Sequence, residues 1–180
     1  MKTTIIGSHS TTKEIALLKS LYEEAFPQEE RIEFNELMRL SLQMPLTINL
    51  YHKDGNFIGF TVFLERKDFN WFWYFAVQKH LRGQGYGQQI LSEMLRQYDK
   101  RPMIIDAESP FQQCANSKQR TRRYNFYLRN GFCDTGVGRT FEGITYCILL
   151  HGEGSFTMSD YDRILSELRS HWATMPQPEQ

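Results

Sequence analysis

A chain of 180 residues with 41% apolar and 14% aromatic content is long enough to bury a substantial core unaided, which excludes an intrinsically disordered protein. Its 21 lysines and arginines balance 21 aspartates and glutamates, so no global field draws it to nucleic acid or to an anionic membrane. Cys114, Cys133 and Cys147 are odd in number and lack Cys-x-x-Cys spacing, so reduced thiols are expected, with neither a disulfide scaffold nor a metal site.

The opening residues lack the apolar centre of a signal peptide, and no apolar run approaches the roughly 20 residues of a membrane span. A single cytoplasmic domain over residues 1–180 is expected. Thr3 to Ile6 reads as a short strand, and Thr11 with Glu14 three residues later is a capping box that starts a helix ending at Pro27. A second helix runs through Phe34, Leu37 and Leu40 and ends before Pro45. Leu46 to His52 and Phe57 to Glu65 flank Lys53-Asp54-Gly55-Asn56, and Asp-Gly between apolar runs signals a hairpin. Trp71 to Val77 is unbroken apolar and aromatic sequence, too short for an ordinary helix and rich in strand formers, so it reads as a strand buried on both faces.

Helical spacing resumes after Gly85 with Ile90, Leu91, Met94 and Leu95, which places Gly83, Gly85 and Gly87 where a central strand turns into a helix. Helix starts leave amides unpaired and carry partial positive charge, so an anion is their natural ligand. The glycines let it approach backbone, and Arg82 adds a forked donor suited to pyrophosphate. Downstream, Met103 to Glu108 is strand-like, with Asp106 and Glu108 on one face. Ser117 to Asn130 reads as a helix with Gly131 at its end, Phe132 to Phe141 and Ile144 to His151 as a hairpin, and Ser159 with Asp162 as the cap of a last helix carrying Tyr161, Ile164, Leu165 and Leu168. Pro176 to Gln180 reads as a frayed tail.

The loop is neither a dinucleotide fingerprint, since the third glycine position is Gln88, nor a Walker loop, since no Gly-Lys-Ser or Gly-Lys-Thr occurs. Arg82-x-x-Gly85-x-Gly87 after a strand resembles the pyrophosphate loop of the GNAT superfamily of N-acetyltransferases. Tyr127, four residues before Gly131-Phe132, resembles the helix end of the same family. One departure is Arg120, where members often carry asparagine.

The resemblance implies a mixed, mostly antiparallel α/β sheet of six to seven strands flanked by helices; residues 155–180 form a C-terminal helical extension beyond the family's usual core, expected to pack on its own domain or to meet a second copy in a homodimer. It implies acetyl-CoA as cosubstrate, held by Phe75, Val77, Arg82, Gly83, Gln84, Gly85, Tyr86 and Gly87. It implies Tyr127 as general acid toward the leaving thiolate. Glu108, at the strand end, is the first choice of general base, ahead of Glu65, Glu30, Tyr74 and His80. The acceptor expected is a primary amine of a small molecule or peptide, bound near the N-terminal helices. Two alternatives stand beside this: a noncatalytic acyl-CoA-binding module, and a nucleic-acid binder using Lys118, Arg120, Arg122, Arg123 and Arg129. Neutral overall charge argues against the second.

Overall fold

The computed structural model describes residues 1–172, the side chain of Glu29 excepted. The expected tail lies outside the described residues. The fold is mixed α/β, with a seven-stranded, mostly antiparallel sheet and, among the described residues, five α-helices. The chain divides into two compact units, Met1–Tyr98 and a second that starts at Asp99.

The first unit holds β1 (Lys2–Ile5), α1 (Thr12–Ala25), α2 (Phe34–Gln43), β2 (Leu46–Lys53), β3 (Asn56–Glu65), β4 (Asn70–Val77) and α3 (Tyr86–Gln97). Its strands are antiparallel in the order β1-β2-β3-β4. The predicted capping box of α1 is present, with Thr11 and Glu14 bonding each other's backbone amides. The β2–β3 turn has positive φ at both central residues, 51° at Asp54 and 79° at Gly55, which is the twist a two-residue hairpin requires.

A bulge in β4 decides which side chains face which helix. Val62 opposes Tyr74 while Phe63 opposes Phe72, so Trp73 is the extra residue. The alternation therefore slips by one. Tyr74 and Ala76 join the face of Phe60, which packs on Tyr22 of α1 with ring centroids 6.1 Å apart. Phe72, Phe75 and Val77 share the opposite face with Phe63 and Thr61, where Thr61 meets the Met94 sulfur of α3 at 3.8 Å. On the first face the Tyr22 hydroxyl donates to the Ile32 carbonyl at 2.9 Å, and the Ile32 amide donates to the Tyr74 hydroxyl at 3.4 Å. These bonds tie the segment between α1 and α2 to the central strand.

The second unit holds β5 (Met103–Glu108), α4 (Ser117–Arg129), β6 (Cys133–Phe141), β7 (Ile144–His151) and α5 (Met158–His171), with strands ordered β5-β7-β6 and antiparallel. The start of α5 differs from the predicted one. Thr157 caps it, with Asp160 completing the capping box, where Ser159 and Asp162 were expected. Both pairs have the right spacing. Only the observed pair lets Phe156 pack across the cap on Tyr161, centroids 6.3 Å apart, as a hydrophobic staple.

Tyr161, 1% exposed, donates from its hydroxyl to Asp106 Oδ2 at 2.7 Å, while Arg139 pairs with Asp162 and lies over the Tyr161 ring. The apolar residues of α5, Tyr161, Ile164, Leu165 and Leu168, are buried, and Tyr161 is tied to β5 and β6 of its own unit.

Candidate active site

In the first unit, the candidate site is the turn from β4 into α3. After Val77 the chain makes a 3-10 turn over Lys79–Leu81 and passes through Gly83 and Gly85 with φ of 79° and 83°. Gly85 is the N-cap of α3 and contributes no side-chain acceptor. The first helix bond runs from the Gln89 amide to the Gly85 carbonyl at 3.1 Å, so the Tyr86 and Gly87 amides lie ahead of it. A Cβ built on Gly83 or Gly85 would meet nothing within 4 Å, so backbone conformation demands glycine there and the space above is open.

Arg82 is exposed, and its Nε donates to the Val77 carbonyl at 2.9 Å, a bond that does not use its terminal nitrogens. Gln84 braces the turn through the His80 carbonyl at 3.0 Å. Phe75 and Val77 are half-buried on the α3 face of β4. The loop residues expected to hold a pyrophosphate thus lie together around one helix start.

In the second unit, the candidate site lies between the end of β5 and α4. Tyr127 is 5% exposed, with its ring against Phe132 at 5.6 Å and Phe126 at 5.3 Å between centroids. Its hydroxyl donates to no acceptor among the described residues. Burial raises its phenol pKa and the Arg123 charge opposes that shift, so the proton is held at neutral pH. Gly131, with φ of 82°, ends α4 and lets the Phe132 amide turn back to the Tyr127 carbonyl at 3.2 Å, which locks the tyrosine to the helix end.

Glu108 is at the end of β5, as expected, but is not free. Its side chain is 3% exposed, with Arg120 Nε 2.7 Å from one carboxylate oxygen and Arg123 paired to the other. The Arg120 contact has ion-pair distance without hydrogen-bond alignment, so charge holds it more than direction does. Asn116 donates to the first oxygen at 3.4 Å. A carboxylate faced by two guanidinium groups suits an anchor better than a proton acceptor.

The alternative bases are also placed. Glu65 opposes Asn70, seven residue steps and so about 23 Å along β4 from Val77, the end that leads to the glycine loop. Tyr74 is 6% exposed and its hydroxyl accepts from Ile32. His80 is exposed in the 3-10 turn, and Glu30 is half-buried in the preceding one.

The basic run on α4 separates by burial. Lys118, Arg122 and Arg129 are exposed, whereas Arg120 is 5% exposed and committed to Glu108 and Gln112. Arg120 and Arg123 are the participants that sequence reasoning left on a solvated helix face. The only signal in the sequence was the cation at the position usually occupied by asparagine. The three cysteines are free, and among the described residues no group of three His, Cys, Asp or Glu could hold a metal ion. No helix among them is long and apolar enough to cross a membrane.

Residues 45–134, half of the chain, match the acetyltransferase (GNAT) domain family. Comparison with curated proteins gives no match. Among solved structures, a protein of Bacteroides thetaiotaomicron assigned to the GNAT family of acetyltransferases is 26% identical, with 94% of this chain and 97% of that one covered and a TM-score of 0.75. An aminoglycoside 6'-N-acetyltransferase complexed with coenzyme A shares the fold at 11% identity, with 83% and 96% covered and a TM-score of 0.65. A GNAT acetyltransferase of Elizabethkingia anophelis with acetyl-CoA bound shares it at 14% identity, with 84% and 98% covered and a TM-score of 0.53. By the family match and the shared fold, the chain belongs to the GNAT superfamily of N-acetyltransferases, whose fold supports acyl-CoA-dependent acetyl transfer.

Proposed function

We propose that the protein transfers the acetyl group of acetyl-CoA to a primary amine of a small molecule or peptide, by direct attack in a ternary complex, as a single cytoplasmic GNAT domain over residues 1–180. The observation that carries this reading is the β4–α3 turn. Two left-handed glycines, a helix start with free amides and an exposed guanidinium offer a pyrophosphate site in open space. Cofactor contacts are assigned to Arg82, Gly83, Gln84, Gly85, Tyr86 and Gly87, with the backbone of Phe75 to Val77 along the pantetheine arm. Relatives of the same fold holding coenzyme A or acetyl-CoA support that assignment.

An amine is protonated near neutral pH and must lose a proton before its nitrogen attacks the thioester carbonyl. The carbon–sulfur bond then breaks and the thiolate leaves with the electron pair. We assign Tyr127 as the group that protonates it. Its hydroxyl is protonated at neutral pH and has no acceptor to satisfy first among the described residues. We read Glu108, paired with two arginines, as a positioning residue in place of the expected base, so the amine proton leaves through water in this reading.

The test is thermal unfolding with acetyl-CoA, CoA, NAD and ATP, each alone at matched concentration. Native-state binding at a hundredfold excess over Kd adds about 2.7 kcal/mol of apparent stability. Stabilisation by the two CoA species alone, followed by amine-dependent thiol release, is expected. No shift with either sinks the loop assignment, and a shift with no thiol release across an amine panel would favour a noncatalytic binding module.

A further inference from the structure

We infer that Glu108, Arg120 and Arg123 form a charge clamp that holds Arg123 as the electrostatic partner of the Tyr127 phenol, steadying the negative charge left on its oxygen once its proton has gone to the leaving thiolate. The inference deepens the reading above and rests on it.

Three observations converge. Glu108, with its side chain 3% exposed, is neutralised from both sides, and three charged groups persist at such a site only when each is fixed by the others. Arg120 is fixed a second time, because its Nη1 donates to Gln112 Oε1 at 2.8 Å. That oxygen also accepts from the Thr145 amide at 3.0 Å, and Gln112 Nε2 reaches the Gly143 carbonyl at 2.7 Å. Arg120 is therefore spent on structure. Arg123, with its side chain 36% exposed, has only Nη2 engaged by Glu108 and keeps the rest of its fork.

Arg123 and Tyr127 are four residues apart on α4, so they share a helix face. The rings in contact with Tyr127 are those of two phenylalanines. Phe126 lies beside it on α4, Phe132 follows the helix, and His151 of β7 is one ring further away, 5.3 Å from Phe132. Proton donation breaks the phenol O–H bond, forms S–H on the thiolate and leaves the electron pair on oxygen until water restores the proton. Among aromatic rings that charge would be costly without a neighbouring cation.

The first readout does not need turnover. A fluorinated tyrosine placed at position 127 brings phenol ionisation into an accessible range for fluorine NMR. R123Q should raise the midpoint by about one pH unit, R123K should restore most of it, and E108Q, which frees Arg123, should fall between. An unchanged midpoint in R123Q overturns the clamp and leaves the acid role standing.

The second readout is a cycle. R123Q should lower kcat about tenfold with the KM for acetyl-CoA within about twofold, and should cost nothing further in the Y127F background. Equal losses in both backgrounds overturn the inference. No rate loss in Y127F alone sinks the acid role and the inference with it. Retained stabilisation by acetyl-CoA shows that each variant is folded.

Discussion

At the scale of single residues, Tyr127 and Glu108 make opposite predictions although both are buried. Tyr127 packs through its ring, and its hydroxyl has no acceptor among the described residues, so Tyr127→Phe removes only the chemistry. Stability should stay within about 0.5 kcal/mol while kcat falls about a hundredfold at unchanged acetyl-CoA affinity. Steady-state rates beside a urea titration decide it, and an unaltered kcat sinks the assignment. Glu108→Gln removes one member of a buried ion cluster and leaves two guanidinium groups unneutralised, so it should cost about 3 kcal/mol of folding stability. A general base would behave differently, losing the acid limb of the rate profile with stability intact. Gly85→Ala forces a φ of 83° on an alanine, at a cost of about 1 kcal/mol, and puts a methyl where the anion approaches. Acetyl-CoA binding measured by calorimetry should weaken.

At the scale of elements, short-range chemistry was legible and long-range register was not. Asp54-Gly55 and Thr11 with Glu14 act within four residues of themselves, and both occur as read. The cap of α5 was misplaced because two pairs with capping spacing overlap, and packing of Phe156 on Tyr161 selects the earlier one. Thr157→Ala should therefore lower stability by about 1 kcal/mol, whereas Ser159→Ala should be nearly silent, as chemical denaturation of the two variants will show. The bulge at Trp73 left no mark in the aromatic run, since every residue from Trp71 to Val77 suits either face of a buried strand.

At the scale of the whole molecule, stability should erode from the acid side in two steps. Burial lowers the His151 pKa below its ordinary 6.5, so the unfolded chain binds the proton more readily and stability falls as pH drops below about 6.5. Asp160 is held below its ordinary 3.8, chiefly by Thr157, so its contribution is present above that value and is lost as pH falls further. Urea midpoints measured from pH 7.5 down to 3 should show both steps, and His151→Phe should remove the first. An unchanged midpoint between pH 7.5 and 5.5 in the parent chain would refute it.

The sequence by itself determined the fold class, the order and type of the elements, and the two motifs that mark the candidate site, because hydrophobic period, caps, turns and glycine spacing act locally along the chain. Only the tertiary structure decided what Glu108 and the basic face of α4 do. Glu108 and Arg120 are twelve positions apart, and nothing in either neighbourhood says that the β5 end and α4 bring them to 2.7 Å. Charge along a helix reads as a solvated face until a partner from another element buries it. For Arg120 that partner is Glu108, which also pairs with the half-exposed Arg123.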